Sequence, residues 1–238
     1  MEKMKIDIWS DIACPYCYIG KRKLEMALEQ FPDRDKVELV WHSYELDPDI
    51  PQKSLDISIY TYFANKYGLT EADAHKSMSN TAKLAEEVGL NYNYDNLVVA
   101  NTARALRLVK LAGKSGLATE AEEVLFDAYF VKGKDISDKD TLVALGVSIG
   151  LDGQSVVEML EGNDYKKEVT EDTSNADDLE YIPYYVFNNK RVIQGSIPVE
   201  DYLKVLNEAY AEWKQGGVST ETGEVISGQS CSIDGICS

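Results

Sequence analysis

The sequence predicts an α/β protein in which a long all-helical segment interrupts a small mixed unit. Three observations carry this prediction. The alternating stretch Met4 to Trp9 (MKIDIW) reads as a strand, and the amphipathic run Ile19 to Phe31 that follows it reads as a helix. Residues 56–165 contain no proline and repeat helical patterns between glycines. Residues 181–213 then return to a strand, a turn, a second strand and a helix. The expected organisation is an N-terminal α/β segment over 1–55, a helical insertion over 56–165, a C-terminal α/β segment over 166–215, and a tail over 216–238.

In the first segment, Leu24, Leu28 and Phe31 fall three and four apart, which places them on one helical face. Residues 37–44 (VELVWHSY) are apolar and β-prone, giving a second strand. The two prolines of Leu46 to Pro51 then break regular structure. Within the insertion, helices are expected over 72–88, 97–111, 119–130, 139–149 and 154–160, with Gly113, Gly116, Gly133, Gly150 and Gly153 between them. Residues 166–179 suggest a further polar helix. A hairpin follows, with strands over 181–187 and 191–194 joined by Asn188-Asn189. A helix opening at Pro198 and running to Trp213 closes the unit. The tail is rich in Gly, Ser and Thr and is expected to be flexible, pinned at most by Cys231 and Cys237.

Composition narrows the function classes. Forty-one acidic residues against 24 basic ones give a net charge of −17, which disfavours nucleic-acid or anionic-membrane partners. No run approaches the roughly 18 apolar residues of a membrane span. The opening MEKMKIDIWSD lacks an apolar signal core, so a cytoplasmic location is expected. In a reducing cytoplasm, cysteines are more often catalytic or metal-binding than structural staples.

The motif Cys14-Pro15-Tyr16-Cys17 sits where the first strand meets the first helix. The free N–H groups and positive dipole end of a helix N-terminus favour the Cys14 thiolate. Cys17, three residues on, lies within reach and can attack a mixed disulfide formed on Cys14. Pro15 is tolerated in the first turn, and Tyr16 offers an aromatic wall for a substrate. Thiol–disulfide exchange at an exposed Cys14 is therefore expected.

Cys231 and Cys237, with five residues between them, admit three readings: a structural disulfide, a second redox pair, or part of a four-cysteine zinc site. Zinc is the weakest, because only the first pair has the short spacing such sites prefer, and no metal site is expected. His42 and His75 lack metal-like spacing. Asp7 and Asp11 read first as solvated acids, with a buried carboxylate that relays the proton of Cys17 as the alternative. Asn101, Arg104 and Arg107 read equally as capping or solvating groups on a helix and as groups that face the site to bind an acidic ligand. Pro183 opens a strand without an N–H to donate, which suits an edge or a turn.

Several segments together resemble the DsbA family, and within it the FrnE-like branch. They are WSDIACPYCYIGK, ELDP, NTARALRL, AYFVKGKDISD, IPYYVFNNKRVIQG and the C-terminal cysteine pair around Asp-Gly, so the resemblance runs through nearly the whole chain. It implies a thioredoxin-like fold with a large helical insertion. It makes Cys14 the attacking thiol and Cys17 the resolving thiol, and Ile182-Pro183 a cis-proline element facing them. Pro15, Tyr16, Ile182 and Pro183 would then bind substrate, with the backbone of Ile182 pairing with an extended segment in strand fashion. The implied activity is a dithiol–disulfide oxidoreductase acting on protein or small-molecule thiols and disulfides. It needs no cofactor, with glutathione as a candidate co-substrate. A similar architecture serves kappa-class glutathione transferases and 2-hydroxychromene-2-carboxylate isomerases, which usually carry a serine where Cys14 stands. A binding module built on a tyrosine-rich groove is a third reading. Oligomeric state is not legible.

Overall fold

The computed structural model describes residues 2–174, 179–216 and 225–232. Strand β1 (Met4–Ser10) leads into α1 (Pro15–Gln30), and β2 (Val37–Ser43) follows. Seven helices come next: α2 (Ile59–Tyr67), α3 (Glu71–Glu86), α4 (Ala103–Gly113), α5 (Ala118–Phe126), α6 (Lys139–Ser148), α7 (Gly153–Glu161) and α8 (Lys166–Ser174). The chain then forms β3 (Tyr181–Ile182), β4 (Tyr184–Phe187), β5 (Arg191–Gln194) and α9 (Val199–Lys214). Two short strands follow, β6 (Val225–Ser227) and β7 (Cys231–Ser232).

Five strands form one sheet in the order β2-β1-β4-β5-β6, and β3 pairs with β7 in a second, two-stranded ladder. Strand β1 runs parallel to β2, with Ile8 beside Trp41, and antiparallel to β4, with Ile8 beside Tyr185. Its alternation buries Met4, Ile6 and Ile8 in the core, as a period of two requires. Helices α1 and α9 pack together, with Phe31 set edge-on to Tyr210. Asn188 and Asn189 both take positive φ, 52° and 55°, in the tight turn that joins β4 to β5.

Helix α1 extends the amphipathic run from Ile19 back to Pro15, which takes the first turn as expected, so both motif cysteines belong to its first turn or its cap. The structure departs from the expected elements at four places. Helix α2 was not foreseen, although Ser58 caps it by accepting the Thr61 N–H and Gly68 ends it in the left-handed region. The helix expected from Leu97 begins only at Ala103, because Val99 accepts a backbone bond from Leu55 and Asn101 accepts the Ala103 N–H. The strand expected over 181–187 is split at Pro183, whose missing N–H ends one ladder before the next begins. The fourth departure is the tail. Residues 225–227 add to β5 and residues 231–232 pair with β3, so the described part of it is ordered strand rather than flexible chain. Helix α5 continues through a π-helical turn over Asp127–Val131. The segment predicted as helix over 166–179 is helical to Ser174, and residues 175–178 lie outside the described residues.

Candidate active site around Cys14 and Cys17

The turn from β1 into α1 is fixed by Asp11. Its carboxylate accepts the N–H groups of Ala13 (3.3 Å) and Leu46 (2.7 Å), and its carbonyl accepts the Cys14 N–H (3.0 Å). Cys14 is the N-cap residue of α1, in extended conformation, with Pro15 in the first helical position. Its side chain does not cap the helix; the thiol donates instead to the carbonyl of Ile182, 3.9 Å away. The Cys17 N–H donates to the Cys14 carbonyl (3.1 Å). Both cysteines are free thiols, and the Ile182–Pro183 peptide bond beside them is cis.

Helix α1 admits Pro183 this closely because residue 20 is glycine. A Cβ at Gly20 would lie 2.5 Å from Tyr185 Oη and 3.1 Å from Pro183 Cγ. Tyr92 ties the other side of the motif by donating its hydroxyl to the Pro15 carbonyl (2.7 Å).

Cys14 is 0% exposed and Cys17 2%, so the expectation of an exposed Cys14 is corrected. The edge of Ile182 that was expected to receive a substrate strand is occupied by the chain itself. Cys231 pairs with Ile182 in the β3–β7 ladder and is fully buried. Cys231 is held in a disulfide, and Cys237 lies outside the described residues.

Burial, reinforced by the neighbouring Cys14, pushes the Cys17 thiol well above its ordinary pKa, while the Asp11 backbone and the Ser10 hydroxyl pull the other way. Asp11 is not the solvated acid expected: it is fully buried, and burial raises its carboxyl to about 6 against hydrogen bonds from Leu46, Thr102 and Ala13. Glu122 of α5 is 1% exposed, and burial pushes it up to about 8. Among the described residues, neither Glu122 Oε2 nor Ser10 Oγ has a well-formed hydrogen bond. Yet the Ser10 hydroxyl lies near enough to lower the pKa of both Cys17 and Glu122. The buried Ser10 hydroxyl therefore neighbours both the resolving thiol and the Glu122 carboxyl.

Tyr16 is 6% exposed and packs inward rather than forming an open wall; burial raises its hydroxyl pKa, and the nearby Thr81 pulls it back. Beside the motif lies a cavity of about 90 Å³ lined by Ala13, Pro15, Phe63, Tyr67, Met78 and Cys231, among others. A larger groove of about 1100 Å³, with Lys3, Trp41, Lys110 and Trp213 in its walls, does not include the motif.

Other residues singled out in the sequence serve the scaffold. His42 binds Asp7 and Asp172 and stacks on Trp9, while His75 stacks on Tyr60. Asn101 donates to the Ile50 carbonyl, Arg104 to Ser137, and Arg107 to Asp164 and Gly162. No cluster of three or more metal-ligating side chains occurs among the described residues. Sequence reasoning missed Glu122, Ser10 and Gly20. The signal for Glu122 was its spacing, since it lies three and four residues before Leu125 and Phe126 on the buried face of α5.

Comparison with known proteins places this geometry among relatives. The DSBA-like thioredoxin domain family matches residues 5–207. The uncharacterized protein YwbO of Bacillus subtilis is 25% identical over 210 residues, covering 85% of this chain and 96% of that one. A probable DsbA oxidoreductase, SCO1869 of Streptomyces coelicolor, superposes with a TM-score of 0.81 at 31% identity, covering 99% of this chain and 98% of the other. The cytosolic disulfide reductase DsbM of Pseudomonas aeruginosa shares the fold at a TM-score of 0.60 and 17% identity, over 89% of this chain and 98% of that chain.

Proposed function

Since this chain belongs to the DSBA-like thioredoxin domain family, we propose that it is a dithiol–disulfide oxidoreductase working through Cys14 and Cys17. Its α/β architecture is the DsbA-like thioredoxin fold with helices inserted between β2 and β3. The observation that carries the reading is the pair of free thiols at the start of α1, with Cys14 turned away from the helix end and toward Ile182 beside the cis Pro183.

In the forward direction the Cys14 thiolate attacks one sulfur of a substrate disulfide. A mixed disulfide forms and the other substrate sulfur leaves as a thiolate. Cys17 then loses its proton and attacks the Cys14 sulfur. The second substrate thiol is released, the protein is oxidised by two electrons, and the substrate is reduced by two. The reverse sequence oxidises a substrate dithiol. The difficult step is the deprotonation of Cys17, which burial opposes. The Ser10 hydroxyl, which pulls the Cys17 pKa down, offsets part of that cost by favouring the thiolate.

Pro15, Tyr16, Ile182 and Pro183 frame the substrate position in this reading, and the partners are protein or small-molecule thiols and disulfides. Glutathione is a candidate co-substrate, in keeping with the glutathione complex of DsbM, and a cytoplasmic setting belongs to the same reading. The isomerase alternative draws on a 2-hydroxychromene-2-carboxylate isomerase that shares the fold at 16% identity, but the second thiol at Cys17 favours exchange chemistry. Cys231 and Cys237 form a second pair in this scheme, as staple or as relay. The place of Cys231 opposite Ile182 is compatible with each role, and the pair's own midpoint potential separates them.

The test is a thiol count by alkylation and mass spectrometry across a glutathione redox series. A Cys14–Cys17 disulfide that forms and opens reversibly at a defined potential supports the proposal. Its absence at every potential sinks it.

A further inference from the structure

The path of the chain after α9 bears on what reaches the thiols. Strand β6 runs parallel to β5, with Ile226 beside Ile193. The Gly228 N–H donates to the Gln194 carbonyl (2.7 Å). Ser196 and Gln229 then exchange two backbone bonds, of 2.6 and 3.0 Å. The chain next reaches β3, where Ser232 pairs with Tyr181 and Cys231 with Ile182. Contact along this path is backbone against backbone. A Cβ at Gly228 would lie 2.3 Å from the Ser196 carbonyl oxygen, and one at Gly195, where φ is +86°, would lie 2.6 Å from the Gly228 carbonyl oxygen. Two glycines facing each other seat this segment on the catalytic unit.

The seat matters because of where it ends. Ile182 offers its carbonyl to the Cys14 thiol and its strand edge to Cys231. A sulfur-bearing residue flanked by Ser230 and Ser232 therefore lies across from the residue that touches the nucleophile. Cys231 is 0% exposed and Ser230 5%, and Cys231 also closes the cavity beside Pro15.

We propose that residues 225–232 are a built-in pseudosubstrate strand, and that extended peptide segments with a cysteine between small polar residues compete with it for the edge of Ile182. The proposal rests on the exchange reading given above. It adds a restraint on the extended peptides that the family resemblance already implies as partners of Ile182. A tethered strand acts at an effective concentration in the millimolar range, so a free peptide sees only the fraction of molecules whose strap is open. A small disulfide does not need the ladder and lacks this competitor.

The experiment uses the full chain with Gly228→Val, which lifts the strap by collision with the Ser196 backbone, and Ile226→Asp, which loosens it at the β5 end. Neither residue touches the thiols. Two disulfides are compared: a decapeptide with a central Ser-Cys-Ser, mixed with a nitrothiobenzoate, and oxidised dithiodiethanol. The KM for the peptide is expected to fall about tenfold in both variants, with the KM for the small disulfide changing much less. A peptide KM that stays put, or the same change for both disulfides, overturns the proposal. Binding of the decapeptide with alanine for cysteine, followed by fluorescence anisotropy, reads the competition without chemistry. Tighter binding to both variants than to the natural chain supports the strap even if no disulfide is exchanged, a result that would refute only the oxidoreductase reading. Equal binding to all three overturns it.

Discussion

Gly20 sets how near Pro183 comes to the thiols, and Glu122 sets how the core responds to pH. Alanine at position 20 would gain up to about 1 kcal/mol in helix propensity. The new methyl, however, would overlap Tyr185 Oη and press on Pro183. Overpacking of this kind costs about 1–3 kcal/mol, so the clash wins. Gly20→Ala is expected to lower the melting temperature and to slow Cys14–Cys17 exchange together; a variant that melts higher and exchanges normally would remove Gly20 from this role. For Glu122 the folded state keeps a proton to about pH 8 that the unfolded chain releases near 4.5. Stability therefore falls as pH rises through that window, by about 2–5 kcal/mol in all. Glu122→Gln should flatten the fall, as urea melts at pH 5, 7 and 9 would report. An unchanged slope would mean that Glu122 is not the buried acid. At this scale the sequence was half legible. Cys14 and Cys17 announce themselves by spacing, but Glu122 looks like any other acid in TEAEEVLF until its helical register is counted.

Helix α8 shows how an element is held by charge rather than by its weak apolar face. Its Asp172 accepts the Ser43 N–H (2.7 Å), faces His42 and pairs with Lys110. Burial alone would raise the Asp172 carboxyl, but the hydrogen bonds from His42, Lys110 and Ser43 hold it below its usual value. Its contribution is present above about pH 4 and lost as pH falls through the lowered value. Burial alone would lower His42, but Asp172 and Asp7 raise it, so its contribution is full below about pH 6.5 and lost as pH climbs through the raised value. The docking of α8 is thus strongest between those limits. Asp172→Asn should destabilise the protein by about 1–3 kcal/mol at pH 6, with faster hydrogen exchange confined first to α8. Exchange that quickens evenly across the chain would contradict this. The elements themselves were legible where periodicity ran long, as in α3 and α9. They were not where a local bond overrode it: Asn101 delays α4, and Pro183 cuts a strand in two. Helix α2 was signalled only by its caps, Ser58 and Gly68.

At the scale of the molecule, the succession of strands was legible up to β5 apart from the break at Pro183, because the rest are announced by apolar alternation or by a turn. Strands β6 and β7 were not: three and two residues long, they carry no periodicity of their own. The same strand order has a consequence for biosynthesis. β1 is flanked by β2 on one side and by β4 on the other, and β4 is separated from it by the whole helical insertion. At about 5–20 residues per second, a ribosome takes on the order of ten seconds or more to travel from the motif to that hairpin. Until then the Ile182 carbonyl that receives the Cys14 thiol has not been made. The nascent chain therefore presents its most reactive sulfurs to the surroundings before it owns the structure that shelters them.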